Sequence, residues 1–301
     1  MAAVDIAVAI PLYNKAAHIE RTLESVRGQS KAPKEVIVVD DGSKDDGAAR
    51  AEAAGRKIPG FKLVRQANAG PAVARNRCVS ESRSPWIAYL DADDIWHSDH
   101  LAELSELAMA FPGAAMVATS YNETGRAGQA SSRIRRLIDY FEEEAAGRIS
   151  FFTSTVMISR PGFEAAGGFP VGKTLGEDVA LWGRLALRSP IAVSSHVSCV
   201  YQHATGGLSH TLANYPNLAI QEFQAISRAA TNPTTATNAR EAANRLSVVL
   251  AAEALMTGRN DIARTFLDEM MPTTLHARRS QVLRVLSALP GPILKPVLRG
   301  A

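Results

Sequence analysis

The sequence predicts an α/β fold built on a mostly parallel sheet, followed by a helical appendage. Three observations lead there. Short apolar segments alternate with helical ones through the first half of the chain, those segments are apolar on both faces, and strand-like runs cease after residue 212. Strands covered on both faces by crossover helices read as continuous apolar runs rather than as alternating ones. A chain of 301 residues, 46% hydrophobic and 21% charged, has ample length for one large domain or two modest ones.

Five segments read as strands in order: "IAVAI" (6–10), "EVIVVD" (35–40), "FKLVRQ" (61–66), "WIAYLD" (86–91) and "AAMVATS" (114–120). Between the first two, Ile19, Leu23 and Val26 share one helical face, with Asn14 as the expected N-cap and Gly28 as the stop. "GPAVARNRCVSES" opens with Pro71 in a favourable first-turn position. "SDHLAELSELAMAF" has Ser98 or Asp99 to cap it and ends before Pro112-Gly113. Residues 122–149 carry "RIRR" and "EEE" blocks without a strand pattern, which predicts a loop or helix over a site. The boundaries that follow are 1–210 for the sheet domain and 211–301 for the helical region. In that region no acidic residue follows Glu269, while Arg278, Arg279, Arg284, Lys295 and Arg299 punctuate an apolar background.

Bulk properties narrow the function. A formal charge of +3 gives no support for a nucleic-acid partner. Cys78 and Cys199 are far apart in apolar surroundings, which predicts reduced, buried thiols and a cytoplasmic setting. The N-terminal run lacks a basic flank, and no apolar stretch reaches the roughly eighteen residues of a membrane span. The basic, apolar C-terminal tail would suit peripheral contact with an anionic membrane surface, the inner face of the cell membrane; packing against the sheet domain is the plainer reading.

The first turn, "AIPLYNKAAHI", has no glycine, and no GxxxxGK[ST] occurs, so backbone amides do not cradle phosphate here. Cations must do so instead, whether a metal or Arg and Lys. Both acidic clusters, "VVDDGS" and "YLDADD", fall at the carboxyl ends of their strands, where open parallel sheets bind ligands. Asp91 and Asp93, two apart, can face one ligand, and hard cations such as Mg2+ or Mn2+ take carboxylate oxygens. The bland reading is a polar loop with Asp94 or Asp99 capping the next helix. At the neighbouring strand end, Asp40 or Asp41 can accept the N3–H of uracil, or simply begin an Asp-Gly turn. Arg75 lies on a helix near both clusters and has a surface arginine as its plain alternative.

Taken together and in order, "AIPLYNKAAHIERTLESVRGQ", "VIVVDDGSKD", "QANAGPAVARN", "WIAYLDADDIW" and "GEDVALWGRL" resemble the family 2 inverting glycosyltransferases of GT-A fold. The likeness covers roughly residues 4 to 210; each motif is weak alone and their ordered conjunction is specific. It implies a nucleotide-diphospho-sugar transferase fold with a Rossmann-like sheet, and a metal-dependent transfer of sugar from a nucleotide-sugar, with UDP favoured, to an acceptor hydroxyl. Carried over by position, Pro11 and Tyr13 contact the uridine base, Asp41 bonds uracil with Asp40 the less favoured choice, and Arg75 lies near the nucleotide. Asp91 falls near the ribose and Asp93 on the metal, Mn2+ or Mg2+. Asp178 matches the base of the "ED" motif with Glu177 as substitute, and His203 lies where some relatives place a residue near the diphosphate or metal. Trp96 is expected either to line the acceptor pocket or to pack in the core. The implied acceptor is a glycan or lipid-linked molecule of bacterial cell-surface polysaccharide synthesis. A non-catalytic nucleotide-sugar binder and a nucleotidyltransferase are the alternatives, and the latter lacks its glycine- and lysine-rich phosphate loop.

Overall fold

The computed structural model describes residues 4–123, 133–172, 175–202 and 217–288. The elements run β1 (Ile6–Leu12), α1 (Ile19–Arg27), β2 (Glu35–Asp40), α2 (Gly47–Gly55), β3 (Phe61–Arg65), α3 (Pro71–Glu81) and β4 (Trp86–Tyr89). Next come β5 (Ile95–Trp96), α4 (His100–Ala110), β6 (Met116–Glu123), β7 (Arg135–Ile138), α5 (Tyr140–Ala145), β8 (Val156–Ser159) and α6 (Arg160–Ala165). They are followed by α7 (Glu177–Ala186), β9 (Ile191–Tyr201), α8 (Leu218–Ala229), α9 (Pro233–Met256), α10 (Asn260–Asp268) and α11 (Ala277–Ala288). Compactness groups Met1–Asp139, Ser150–Lys173 and Arg184–Gly207 into one unit, and Tyr140–Ile149, Thr174–Gly183 and Leu208–Ala301 into another.

In the first unit the strand order is β3-β2-β1-β4-β8-β6-β9-β5, with β7 paired to β9. Strands β3, β2, β1 and β4 are mutually parallel, as the apolar runs predict, and β8 inserts antiparallel between β4 and β6. Val8, Ile10, Val36 and Val38 are completely buried, and each such side chain contributes about 1.5–3 kcal/mol relative to exposure. Helix α1 presents Ile19, Thr22, Leu23 and Val26 to that core. Register then places the site. Leu12 pairs with Asp40 across β1 and β2, and Ala9 pairs with Tyr89 across β1 and β4. The carboxyl ends of these three adjacent strands therefore deliver Pro11–Tyr13, Asp40–Asp41 and Asp91–Asp94 to one edge of the sheet.

Two expectations are corrected. Asn14 does not cap α1, which begins at Ile19 with His18 before it. Instead Asn14 adopts φ +51°, and its side-chain oxygen accepts from the Lys44 amide. The polar stretch 122–149 holds the helix α5, within the expected loop or helix, but also the antiparallel strand β7, on which only Ile138 is buried. A single inward residue leaves no alternation to detect. Strands β8 and β9, not among the five segments read as strands, complete the sheet; in β9 the buried Ser194 and Ser198 interrupt the apolar pattern.

His100 is a polar residue in the core of the first unit. It stacks on Trp96 with ring centroids 4.3 Å apart, and its Nδ1 lies 2.7 Å from the Ser198 hydroxyl. Burial pushes its pKa down to about 3, with His97 and His196 acting in the same direction. The folded state thus holds His100 neutral while the unfolded chain protonates it near pH 6.5, so stability attributable to this residue falls as pH drops through that range. The slope is at most about 1.4 kcal/mol per pH unit. Thermal melts of the wild type and His100→Gln at pH 7 and pH 5 are expected to show a smaller acid-induced drop in the variant. Equal drops would mean that His100 is not a source of acid sensitivity.

In the second unit α9 is flanked by α8, α10 and α11, and Ile220, Val248, Ala251, Leu255, Phe266, Leu267 and Leu283 form its core. Asn217 and Asn232 cap α8 and α9 through side-chain oxygens that accept from the first-turn amides. Among the described residues no helix is long and apolar enough to cross a membrane.

Candidate active site

The segment after β1 is fastened to the segment after β2. The Asn14 amide donates to the Ser43 hydroxyl at 3.1 Å, and the Ala16 amide donates to Asp45 Oδ2 at 2.9 Å. Just before these ties Tyr13 is 41% exposed, an aromatic ring at a strand end, while Pro11 is half-buried.

Asp40 and Asp41 are both buried. Asp40 Oδ1 accepts from the Ser43 amide at 3.1 Å. Asp41 is bound to the segment leading into α3. Its Oδ1 accepts from Gln66 Nε2 and the Ala69 amide at 2.7 and 2.9 Å. Its Oδ2 accepts from Asn68 Nδ2 and the Gly70 amide at 3.2 and 2.9 Å. A carboxylate has about four lone-pair sites, so an N3–H arriving at Asp41 must share an oxygen with one of these donors. The close approach of this segment also explains Gly42, at φ +74°, where a Cβ would stand 2.9 Å from the Asn68 nitrogen.

The three aspartates after β4 occupy different environments. Asp91 Oδ1 accepts from Arg75 Nη2 at 2.8 Å, and the Asp91 side chain is 30% exposed. Arg75 is buried on α3 with its guanidinium carbon 5.4 Å from the Phe169 ring centre. Asp93 Oδ2 pairs with Lys15 Nζ, their side chains 16% and 22% exposed. Asp94 instead turns inward. Its Oδ2 accepts from the Ser154 hydroxyl at 2.6 Å and its Oδ1 from the Gln202 amide at 3.0 Å. Burial, with the neighbouring Asp91 charge adding to it, pushes the Asp94 carboxyl up to about 8. The charges of Asp91 and Asp93 are thus each offset by a cationic partner, while burial disfavours the charged form of Asp94.

The loop itself is held from within the unit. Thr22 Oγ1 lies 2.9 and 3.0 Å from the Ala92 and Asp94 carbonyls, sharing its proton between them. Gln29 Nε2 donates to the His97 carbonyl at 2.8 Å. Trp96 is buried and donates through Nε1 to the Ser154 carbonyl at 2.6 Å, so of its two expected places it takes the core.

Asp91 and Asp93 suit a hard divalent cation: both offer carboxylate oxygens and both are partly open to solvent. Among the described residues no group of three or more His, Cys, Asp or Glu side chains is arranged to hold a metal. Remaining ligands would have to come from water or from a bound phosphate, which is the usual manner of Mg2+.

Glu177 and Asp178 lie in the second unit and open α7, both half-buried. Gly176 precedes them at φ +93°, where a Cβ would come 2.7 Å from Asn217 Oδ1. Asp178 Oδ1 accepts from the Val179 amide at 2.8 Å. Its charge, after burial and Glu144, helps to raise the pKa of the buried Tyr140 hydroxyl. Glu144 is itself raised by burial and partnered by Arg245 at 2.7 Å. His203 lies outside the described residues.

A model of the family described as glycosyl transferase family 2 matches residues 7–160, just over half of the chain. The chain belongs to that family. This family 2 glycosyltransferase is 32% identical over 222 residues to the succinoglycan biosynthesis protein ExoU of Rhizobium meliloti (strain 1021), covering 68% of this chain and 63% of that protein. It therefore spans less than two thirds of the relative's length. Among solved structures, S. aureus TarS 1-349 in complex with UDP-GlcNAc superposes with a TM-score of 0.74 at 16% identity, over 98% of this chain and 92% of that one. The mannosyltransferase PcManGT from Pyrobaculum calidifontis, in complex with GDP-Man and Mn2+, gives 0.62 at 17% identity over 98% and 84%. At such identities these likenesses establish the GT-A fold.

Several residues around the candidate site of this family 2 glycosyltransferase carry no specific signal in the sequence. Lys15 and Ser154 meet Asp93 and Asp94 across 78 and 60 residues of chain, respectively. Gln66 and Asn68 meet Asp41 across 25 and 27. The only signal for Lys15 was general: without a glycine-rich turn, phosphate must be met by a metal or by Arg and Lys.

Proposed function

We propose that this chain transfers a sugar from a nucleotide-sugar, with UDP favoured, to an acceptor hydroxyl by a single inverting displacement in the building of a polysaccharide or lipid-linked glycan. The observation that carries the reading is the edge where the carboxyl ends of β1, β2 and β4 meet, with two solvent-reachable carboxylates each matched to a cationic side chain. The complexes of TarS with UDP-GlcNAc and of PcManGT with GDP-Man and Mn2+ support the donor class, and the named role of ExoU in succinoglycan biosynthesis supports the product class.

In this reading Tyr13 packs its exposed ring on the uracil beside Pro11, and Asp41 accepts N3–H by sharing one oxygen with a donor from 66–70. Asp40 is the nearest substitute. Asp91 faces the ribose and Arg75 lies near the nucleotide. Asp93, with Asp91, would hold a divalent cation, which when bound would supply charge stabilisation at the departing diphosphate. Asp178 takes the acceptor's proton as the acceptor oxygen bonds the anomeric carbon and the bond from that carbon to the diphosphate breaks, with Glu177 as the alternative base.

The test is a thermal-shift panel of UDP-, dTDP- and GDP-sugars with and without Mn2+, followed by nucleotide release with and without candidate acceptors. UDP-sugars are expected to raise the melting temperature most, and more so with Mn2+. Stabilisation without release in the presence of any acceptor would favour a binder over an enzyme. No stabilisation by any nucleotide-sugar would remove the reading.

A further inference from the structure

We propose that Lys15 occupies Asp93 in the free chain as a built-in competitor, so that a divalent cation is admitted together with a diphosphate and poorly on its own. The inference rests on the proposed reading of Asp93 as a cation ligand. Lys15 Nζ is paired with Asp93 Oδ2, and both side chains are partly buried. The companion carboxylate, Asp91, is already matched by Arg75 at 2.8 Å. Each open carboxylate of the loop therefore carries its own positive partner, and an arriving cation gains little attraction until one partner leaves. Partial burial strengthens such a pair beyond a fully exposed one, because less water screens it.

The two partners differ in freedom. Arg75 is buried and packed over Phe169. Lys15 sits in a segment whose backbone is fixed on either side, by Asn14 to Ser43 and by Ala16 to Asp45, while its four-carbon stem can swing. A diphosphate supplies the ammonium with a second anion. Lys15 then passes from Asp93 to phosphate oxygens, and Asp93 is released to the cation in the same event. Thermodynamic reciprocity requires that the nucleotide raise cation affinity by the factor by which the cation raises nucleotide affinity.

Mn2+ binding to the full chain, followed by the electron paramagnetic resonance signal of free Mn2+, tests this with wild type, Lys15→Gln and Lys15→Arg, each with and without UDP. Without UDP, Lys15→Gln is expected to bind Mn2+ more tightly than wild type, within the range of about 5- to 150-fold typical of coupled sites. Lys15→Arg, which keeps the charge, is expected to stay near wild type. UDP is expected to improve Mn2+ affinity much more in wild type than in Lys15→Gln. Equal affinities of wild type and Lys15→Gln without UDP, with both binding Mn2+ once UDP is added, would overturn the competitor role and leave the cation reading intact. Failure of all three proteins to bind Mn2+ even with UDP would overturn both.

Discussion

Asp93→Ala is expected to remove the Mn2+-dependent part of UDP-sugar binding and to lower turnover by on the order of 100-fold or more, since a catalytic cation is worth several kcal/mol at the leaving group. The substitution leaves most of the loop undisturbed. Asp91 keeps Arg75, and Asp94 keeps Ser154 and the Gln202 amide. What changes is the charge at the open edge: a carboxylate is lost and the Lys15 ammonium loses its partner. Binding without metal is therefore expected to persist, because a released ammonium still faces the diphosphate. Calorimetric titration with UDP, with and without Mn2+, separates the two contributions. A variant that retains the full Mn2+ enhancement would transfer the cation to Asp91 alone.

The sequence carried the first half of the sheet well and the second half poorly, for one physical reason. Strands β1 and β2 are buried on both faces, so nearly every residue is apolar and the signal is dense. Strand β9 hides Ser194 and Ser198 in the core because Glu103 and Thr119 receive their hydroxyls. Such buried polar residues are paid for by hydrogen bonds to distant segments, which hydropathy cannot register. Strand β7 fails in the opposite way, as a charged edge strand whose Arg135 is bound by Glu103 and Glu106.

The candidate site divides along the same line. The acidic clusters were legible because strand ends and chemistry coincided. The different conditions of Asp91, Asp93 and Asp94 were not, because Arg75, Lys15 and Ser154 arrive from three separate elements of the fold. The capping role expected of Asn14 fails for a related reason: its side chain is engaged by Lys44, thirty positions away in sequence.

Asp178→Asn is expected to reduce kcat by about 10²- to 10⁴-fold, the usual contribution of a general base, with nucleotide-sugar binding nearly unchanged. The amide preserves shape, and its oxygen can still accept from the Val179 amide, so the start of α7 keeps its local bond. It cannot take a proton from a hydroxyl, and that isolates the chemical step. Glu177→Gln is the matched comparison, since Glu177 shares the first turn and is likewise half-buried. A large loss in Asp178→Asn with a small one in Glu177→Gln assigns the proton to Asp178, and the reverse pattern assigns it to Glu177. Both variants should be read against donor binding by calorimetry, because a base acts on the acceptor and has no reason to alter affinity for the donor. Full turnover in both would leave these carboxylates with only the favourable charge that any acidic residue contributes at a helix start.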